Sequence, residues 1–538
     1  MGERNKEERM KIARSLDTVH THNFKETKRY LVDPYQFLSN LKNKIKKWKL
    51  AFIATVLIGI LVHIFAITNI LPNHDGINNI FATQDNVRLG RWFLKYACGI
   101  SSYYTLPSLI GIISIGILGI VSALLVELFQ VKKKLNIILL SAIVVTYPTI
   151  ASAFSYMFTA DGYMIALLLA TISVLLANKY KYGFLIGSFC VCLSLGIYQA
   201  YISVTIILCI LQILDKLTTK ATTKEIMLQI GKYIAMGVIG FVSYYIILEI
   251  VLHVRNLELS SYQGINSLSN LSIENFLQGV KQVYNDFISF IYQTRFHKNN
   301  ILVLVSNIIV VFILVYLYIK KYRYQRSYKK IVNNILLIVL ILVVPIGLNI
   351  ISLLSAETEY HLLMRYAWCL CYIYCIVLLD KANIKSNIIK WLGILATLCI
   401  IGNYIIVDNI AYFNLYYKFQ KSYSIAFKLS ERIENYEGYN QNMPIAIIGR
   451  PDKGKYPSTN VADKIIQNIT GANGNLMASD SKQYQSIFSN YLNMKITIAS
   501  NESIEAIQET EEFQNMPTYP EEESIAVINE VLVIKLSN

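Results

Sequence analysis

Along this chain, apolar runs of about twenty residues alternate with short clusters of lysine and arginine. A helix rises 1.5 Å per residue, so about 20 apolar residues cross a hydrocarbon core roughly 30 Å thick. By that measure eleven segments read as membrane-spanning helices. Seven are clear, at residues 49–71, 107–128, 135–153, 232–253, 301–319, 331–353 and 391–409. Four more, at 163–178, 184–197, 200–215 and 363–379, are shorter or carry polar residues. The pattern predicts a polytopic α-helical membrane protein with about 11 transmembrane helices.

Outside these runs the periodicity differs. Asp33 and Pro34 suit the cap and first turn of a helix whose apolar face carries Phe37, Leu41, Ile45 and Trp48, a basic amphipathic element for an anionic leaflet. In the long connection at 255–300, Phe276, Val280, Tyr284, Phe287 and Ile291 recur at helical spacing and predict a helix lying on the membrane interface. From about residue 410 the apolar runs shorten and acidic residues appear. The expected elements there are a helix at 416–436, strands at 444–449 and 494–499, a helix at 481–492, and a hairpin of 524–528 with 531–536 turning at Asn529 and Glu530. The chain thus divides into a basic N-terminal segment (1–48), a membrane domain (49–409) and a small C-terminal α/β domain (410–538).

Composition agrees, with 54% hydrophobic and 16% charged residues. The net charge of +15 would suggest a nucleic-acid partner in a soluble protein, but here it sorts by side of a membrane. Thirteen basic residues precede or include Lys49, and the even-numbered connections hold eighteen more, against eight on the odd-numbered ones. By the positive-inside rule the N-terminus is cytoplasmic, and an odd number of crossings places the C-terminal domain outside the cytoplasmic membrane. The first apolar run begins too late and is too long for a cleavable leader, so it reads as an anchor. The eight cysteines lie in or beside apolar runs, where packing is the expected role. No cofactor is certain, and a divalent metal at His74 and His361 stays an alternative that no ligand spacing supports. Without a phosphate-binding glycine loop, an ATP-driven pump is not expected.

Three polar groups stand out against this apolar background. The first connection holds Asn73, His74, Asp75, Asp85, Arg88 and Arg91, with Trp92, Phe93 and Tyr96 able to dip into the interface. A carboxylate that takes a proton from an attacking hydroxyl, beside guanidinium groups that hold a departing phosphate, is what sugar transfer from a lipid phosphate requires. The simpler alternative is that Asp75 and Asp85 pair with Arg88 or Arg91 at the surface. The second group is Asp161 and Tyr163, then Tyr198, Gln199 and Tyr201, aromatic faces and an amide that suit a pyranose ring but also suit interfacial anchoring. The third is Glu357, Glu359, His361 and Arg365. Arg365 falls at the edge of an apolar helix and must find an anion, either a lipid phosphate or Glu359.

The stretches NHDG, LGRW, YPTIASAFSYMFTADGY, SLGIYQAYIS and MPTYPEEESIAVINEVLVIKLS, in this order, resemble the type II O-antigen glucosyltransferase (Gtr) family, integral-membrane enzymes of GT-C architecture. The resemblance implies a GT-C-like membrane domain and transfer of a hexose, typically glucose, from a polyprenyl-phosphate-linked donor to a cell-surface glycan at the outer face. It further implies Asp75 as catalytic base. Asp75 stands alone before Gly76 where many relatives carry a second acidic residue, which makes Asp85 the other catalytic candidate. Arg88, Arg91 and Arg365 would face the donor phosphate. Tyr198 and Gln199, with Asp161, Tyr163, Glu357 and Glu359, would be the sugar or acceptor contacts. The partners implied are the lipid-linked donor, the glycan acceptor and the bilayer, with no nucleic acid. Two other classes share the gross pattern: a flippase or transporter of lipid-linked sugars, and a glycan-binding assembly protein whose C-terminal domain is the functional part.

Overall fold

The computed structural model describes residues 34–260, 273–292, 300–324, 331–354, 360–382, 386–451, 468–473 and 481–537, with side chains from Lys46 onward in the first helix. Among these residues, nine helices are long and apolar enough to cross a membrane. Helix α1 (Pro34–Thr68) leads into the first loop, which carries the short α2 (Leu94–Cys98), and α3 (Pro107–Phe129) packs back along α1. The next crossing is bent: α4 (Lys134–Thr146) stops where Pro148 forces Tyr147 into an extended conformation, and α5 (Thr149–Ser155) completes it. Then follow α6 (Met157–Lys179), α7 (Gly183–Ile197), α8 (Ile202–Leu217) and α9 (Thr223–Val254). The start of α9 is set by a capping box in which Thr222 and Glu225 satisfy each other's amides.

The second half comprises α10 (Ile273–Tyr292), α11 (Ile301–Tyr324), α12 (Ile331–Leu348), the single turn α13 (Ile351–Leu354), α14 (Cys369–Lys381) and α15 (Asn387–Glu434). Two of the eleven predicted crossings are short. Helix α7 has 15 residues, and α14 has 13 after two 3-10 turns. At 1.5 Å per residue these helices span roughly 20 Å, less than the hydrocarbon core.

The bundle has two polar ends. At one, Glu127 receives Trp48 Nε1 (3.2 Å) and Lys179 Nζ (3.5 Å), and Asp215 receives Lys321 Nζ (3.1 Å) and Lys381 Nζ (2.5 Å). There too the Asp380 carboxylate accepts the backbone N–H groups of Lys132 and Lys133, each at 2.8 Å. The basic connections expected on one side of the membrane thus meet at one end. The opposite end carries the first loop, residues 198–201 and 255–260, the turns at 360–368 and the C-terminal region.

Helix α10 forms where the spacing predicted it, but it packs into the protein. Gly279, Val283, Asp286 and Phe290 face inward against α11, α12 and α13, while Phe276 is exposed. The reason is electrostatic. Asp286, 1% exposed, receives Arg365 NH1 at 3.0 Å, Asn349 Nδ2 at 3.1 Å and Gln282 Nε2 at 3.0 Å. Arg365 also donates to the Tyr360 carbonyl at 3.1 and 2.9 Å.

The C-terminal strands form one sheet of order β2-β1-β4-β3. Strand β1 (Pro444–Ile448) pairs in parallel with β2 (Thr497–Ile498) and β4 (Val531–Lys535), and β3 (Ile525–Ile528) pairs antiparallel with β4. Asn529 and Glu530 both take positive φ at the predicted two-residue turn. Both faces are covered, as a parallel pairing requires. Ile445 and Ile447 join the bundle's own core with Tyr484 and Phe488 of α16 (Ser481–Tyr491). Ala446 and Ile448 face a second core with Ile507 and Phe513 of α17 (Asn501–Gln508) and α18 (Glu511–Asn515), two short helices the apolar pattern does not predict. Helix α15 runs unbroken through residue 410 for 48 residues, so one rod joins membrane bundle and sheet.

Removing one partner of a buried ion pair strands the other charge. Asp286→Ala should cost about 3–5 kcal/mol of stability, whereas Asp286→Leu combined with Arg365→Met should recover most of it. Thermal unfolding of the purified protein in detergent checks both.

Candidate active site

Three of the quoted motifs interlock at the loop end. Gly90 of LGRW sits at φ +72°, a left-handed conformation that a side chain adopts only with strain. A Cβ there would lie 2.6 Å from both Gln199 Nε2 and Tyr244 Oη. Those two groups hold the turn: Gln199 Nε2 donates to the Leu89 carbonyl (2.9 Å) and Tyr244 Oη donates to the Gly90 carbonyl (3.0 Å). Three residues beyond Gly90, Phe93 N–H donates to the Gly196 carbonyl (2.8 Å), with Trp92 packed where any Gly196 side chain would stand. The first loop is therefore pinned to the ends of α7, α8 and α9.

Arg91 emerges from this clamp over a pair of tyrosines. Tyr163 and Tyr198 stack with centroids 4.6 Å apart, Arg91 Cζ lies 4.6 Å from the Tyr198 centroid, and Arg91 NH1 reaches Tyr163 Oη at 3.4 Å. Such a cation over an aromatic face is held without consuming its donors. Arg91 Nε is buried with no hydrogen-bond partner among the described residues.

The NHDG stretch forms a second cluster. Buried Asn73 folds its Oδ1 onto the N–H groups of Asp75 (3.0 Å) and Gly76 (2.7 Å), and a 3-10 turn (Gly76–Asn78) follows. The Asp75 carboxylate projects from this turn half exposed, 3.5 Å from His74 Nε2, and the His74 ring stands edge-on to Tyr156. The turn borders a small apolar cavity of about 90 Å³, lined by Leu71, Pro72, Gly76, Phe154, Phe158 and Tyr491 among others. Tyr156 and Tyr163 are seven residues apart at the start of α6, two helical turns on one face, so this cluster lies roughly 10 Å along the helix from Arg91.

The other expected site residues are placed differently. Asp85 pairs with Arg255 (2.8 Å) at the end of α9, and that guanidinium holds its carboxyl below the usual range. Neither Arg88 nor Arg91 is its partner. Arg88 is exposed, with Nε on the Glu258 carbonyl at 3.3 Å. Asp161 is fully buried in α6, with Oδ1 on the N–H of Gly162, and it packs beside Cys98 of α2. Arg365 is taken up by Asp286 and the Tyr360 carbonyl. Glu357 and Glu359 lie outside the described residues.

Asp286, Arg255 and Tyr244 escaped the sequence reading. Each meets its partner across 79 to 170 residues, and periodicity within a helix carries no trace of such pairing. Gly90→Ala would strain the backbone and displace both clamping side chains, so a loss of about 2–3 kcal/mol is expected. Tyr244→Phe, which deletes one hydrogen bond, should cost about 1 kcal/mol. Thermal unfolding together with limited proteolysis of the first loop measures both.

The arrangement offers a half-exposed carboxylate for proton transfer and guanidinium groups for an anionic phosphate, whereas Tyr163 and Tyr198, expected to meet the sugar, are buried against each other and Arg91. No curated protein and no solved structure matches the chain. The sequence profile of the family described as glucosyl transferase GtrII matches residues 64–375, more than half the chain. The matched stretch runs from α1 into α14 and contains both clusters. This multi-pass membrane protein belongs to the glucosyl transferase GtrII family.

Proposed function

We propose that the protein moves glucose from a polyprenyl-phosphate-linked donor to a cell-surface glycan at the outer face of the cytoplasmic membrane. The reading is carried by Asp75, a half-exposed carboxylate on a hydrogen-bonded turn whose Pro72 and Gly76 border a small apolar cavity at the loop end. A lipid-linked sugar needs both features together, with an isoprenoid tail in the apolar space and its reacting carbon at the polar rim. In this reading Asp75 takes the proton of the acceptor hydroxyl as that oxygen attacks the anomeric carbon. The bond to phosphate breaks with its electron pair on the leaving oxygen.

Arg91 and Arg88 stabilise the departing phosphate. Arg91 suits the role because cation–π contact with Tyr198 orients its fork. Tyr163, Tyr198 and Gln199 brace that arginine from within the fold. Arg365 and Asp85, each already paired, act as struts.

The sidedness follows from charge. In this reading the short α7 and α14 also cross and bring the count to eleven, which agrees with α7 running from beside Lys179 to Tyr198 and α14 from beside Arg365 to Lys381. With the basic end cytoplasmic, the site and the C-terminal domain face outward.

The test is release of polyprenyl phosphate from polyprenyl-phosphate-linked glucose by protein in nanodiscs with a candidate envelope glycan. Asp75→Asn should lower kcat about 10²- to 10⁴-fold while donor binding stays within about twofold. Arg91→Lys, which loses the fork but keeps the charge, should weaken donor binding about tenfold. Full turnover by Asp75→Asn would remove the carboxylate from the mechanism.

A further inference from the structure

Among its described residues, the C-terminal region reaches back to the loop end of the bundle through residues 468–473. Residues 468–473 lie across the loop end with Ile469 and Ala472 fully buried. Their backbone is tied down from two sides: Ser152 Oγ of α5 donates to the Thr470 carbonyl (2.8 Å), and Asn414 Nδ2 of α15 donates to the Ala472 carbonyl (2.6 Å). Lys418 Nζ donates to the carbonyl of Asn473. Between these ties Gly471 takes φ +89°, and a Cβ there would lie 2.7 Å from Ser155 Cβ, 2.8 Å from the Tyr156 ring and 3.2 Å from Asn73 Nδ2. Nearby, Asn490 of α16 donates from Nδ2 to the Ile77 carbonyl (3.0 Å), inside the turn that follows Asp75.

We propose that residues 468–473, with Asn490, form a strap by which the C-terminal region holds the turn at residues 73–78 in place. Asn73 is then the positioning residue through which the strap acts. Its Oδ1 organises the amides of Asp75 and Gly76, and its Nδ2 edge lies against Gly471. The close approach admits glycine alone, because any side chain at 471 would push on Tyr156 or on Asn73. The consequence for transfer rests on the reading of Asp75 as the base: a turn displaced by about 1 Å would misplace the carboxylate, an error that costs about a hundredfold in rate. The C-terminal region thus contributes to the chemical step itself, although it lies outside the stretch that matches the family.

Three variants of the full-length protein in nanodiscs test this. Gly471→Ala pushes on the turn, Asn490→Ala releases one tie from an exposed helix face without steric conflict, and Asn73→Ser keeps a hydroxyl acceptor for the turn. Two quantities are read: hydrogen exchange of the amides at residues 73–79, and kcat against the KM for polyprenyl-phosphate-linked glucose. Gly471→Ala and Asn490→Ala should speed exchange of these amides about tenfold or more and lower kcat with donor KM within about twofold, while Asn73→Ser retains most of both properties. Unchanged exchange in Asn490→Ala and Gly471→Ala overturns the strap, whatever happens to kcat. Faster exchange with full kcat upholds the strap and instead overturns Asp75 as the base. A Gly471→Ala protein that fails to fold leaves the decision to Asn490→Ala.

Discussion

Helices that end near a membrane surface leave backbone amides and carbonyls unpaired where water is scarce, and the structure depends on how these are satisfied within the chain. At the basic end the Asp380 carboxylate accepts two successive N–H groups at the start of α4. At the loop end Gln199, Tyr244 and the N–H of Phe93 satisfy the carbonyls of Leu89, Gly90 and Gly196. Each bond joins segments far apart in the chain, so satisfying the helix ends also welds the first loop to α7, α8 and α9. The clamp around Gly90 is where this requirement is tightest, since two side chains and a left-handed turn share the space that a Cβ would fill.

The charges divide by the same requirement. Several are paired, Arg365 with Asp286 and Asp215 with two lysines, and a paired charge stiffens the frame but has little left to offer a substrate. Buried Asp408 has no partner among the described residues. The accessible groups with capacity to spare lie at the loop end: the half-exposed carboxylate of Asp75 and the exposed Arg88. A site that stabilises developing charge needs such groups held still but not neutralised. Stacking on Tyr198 for Arg91 and the Asn73 turn for Asp75 do this by different means.

The 48-residue α15 makes the C-terminal sheet an extension of the bundle. One face of β1 shares the bundle's hydrophobic core, and residues 468–473 return to the first loop. The GtrII match ends at residue 375, yet the turn carrying Asp75 is covered by chain from beyond that limit.

Much of the fold could be read from the sequence, because hydrophobic length and period are local properties. The long crossings, the clustering of basic connections at one end, the α10 helix and the C-terminal hairpin with its Asn529 and Glu530 turn all follow from residues within one or two helical turns of each other. The quoted motifs likewise marked the segments that meet at the loop end. Tertiary structure alone decided the partners. Among the described residues the anion at Arg365 is Asp286, and Asp85 is held by Arg255. The inward face of α10, with Gly279, Val283, Asp286 and Phe290, lies one residue off the predicted stripe and combines the buried ion pair with apolar packing on Trp368. Residues 468–473 cover the turn of Asp75. Burial makes each of these contacts obligatory, but which distant group supplies it depends on how the helices pack, and that is set by the whole bundle rather than by any stretch of sequence.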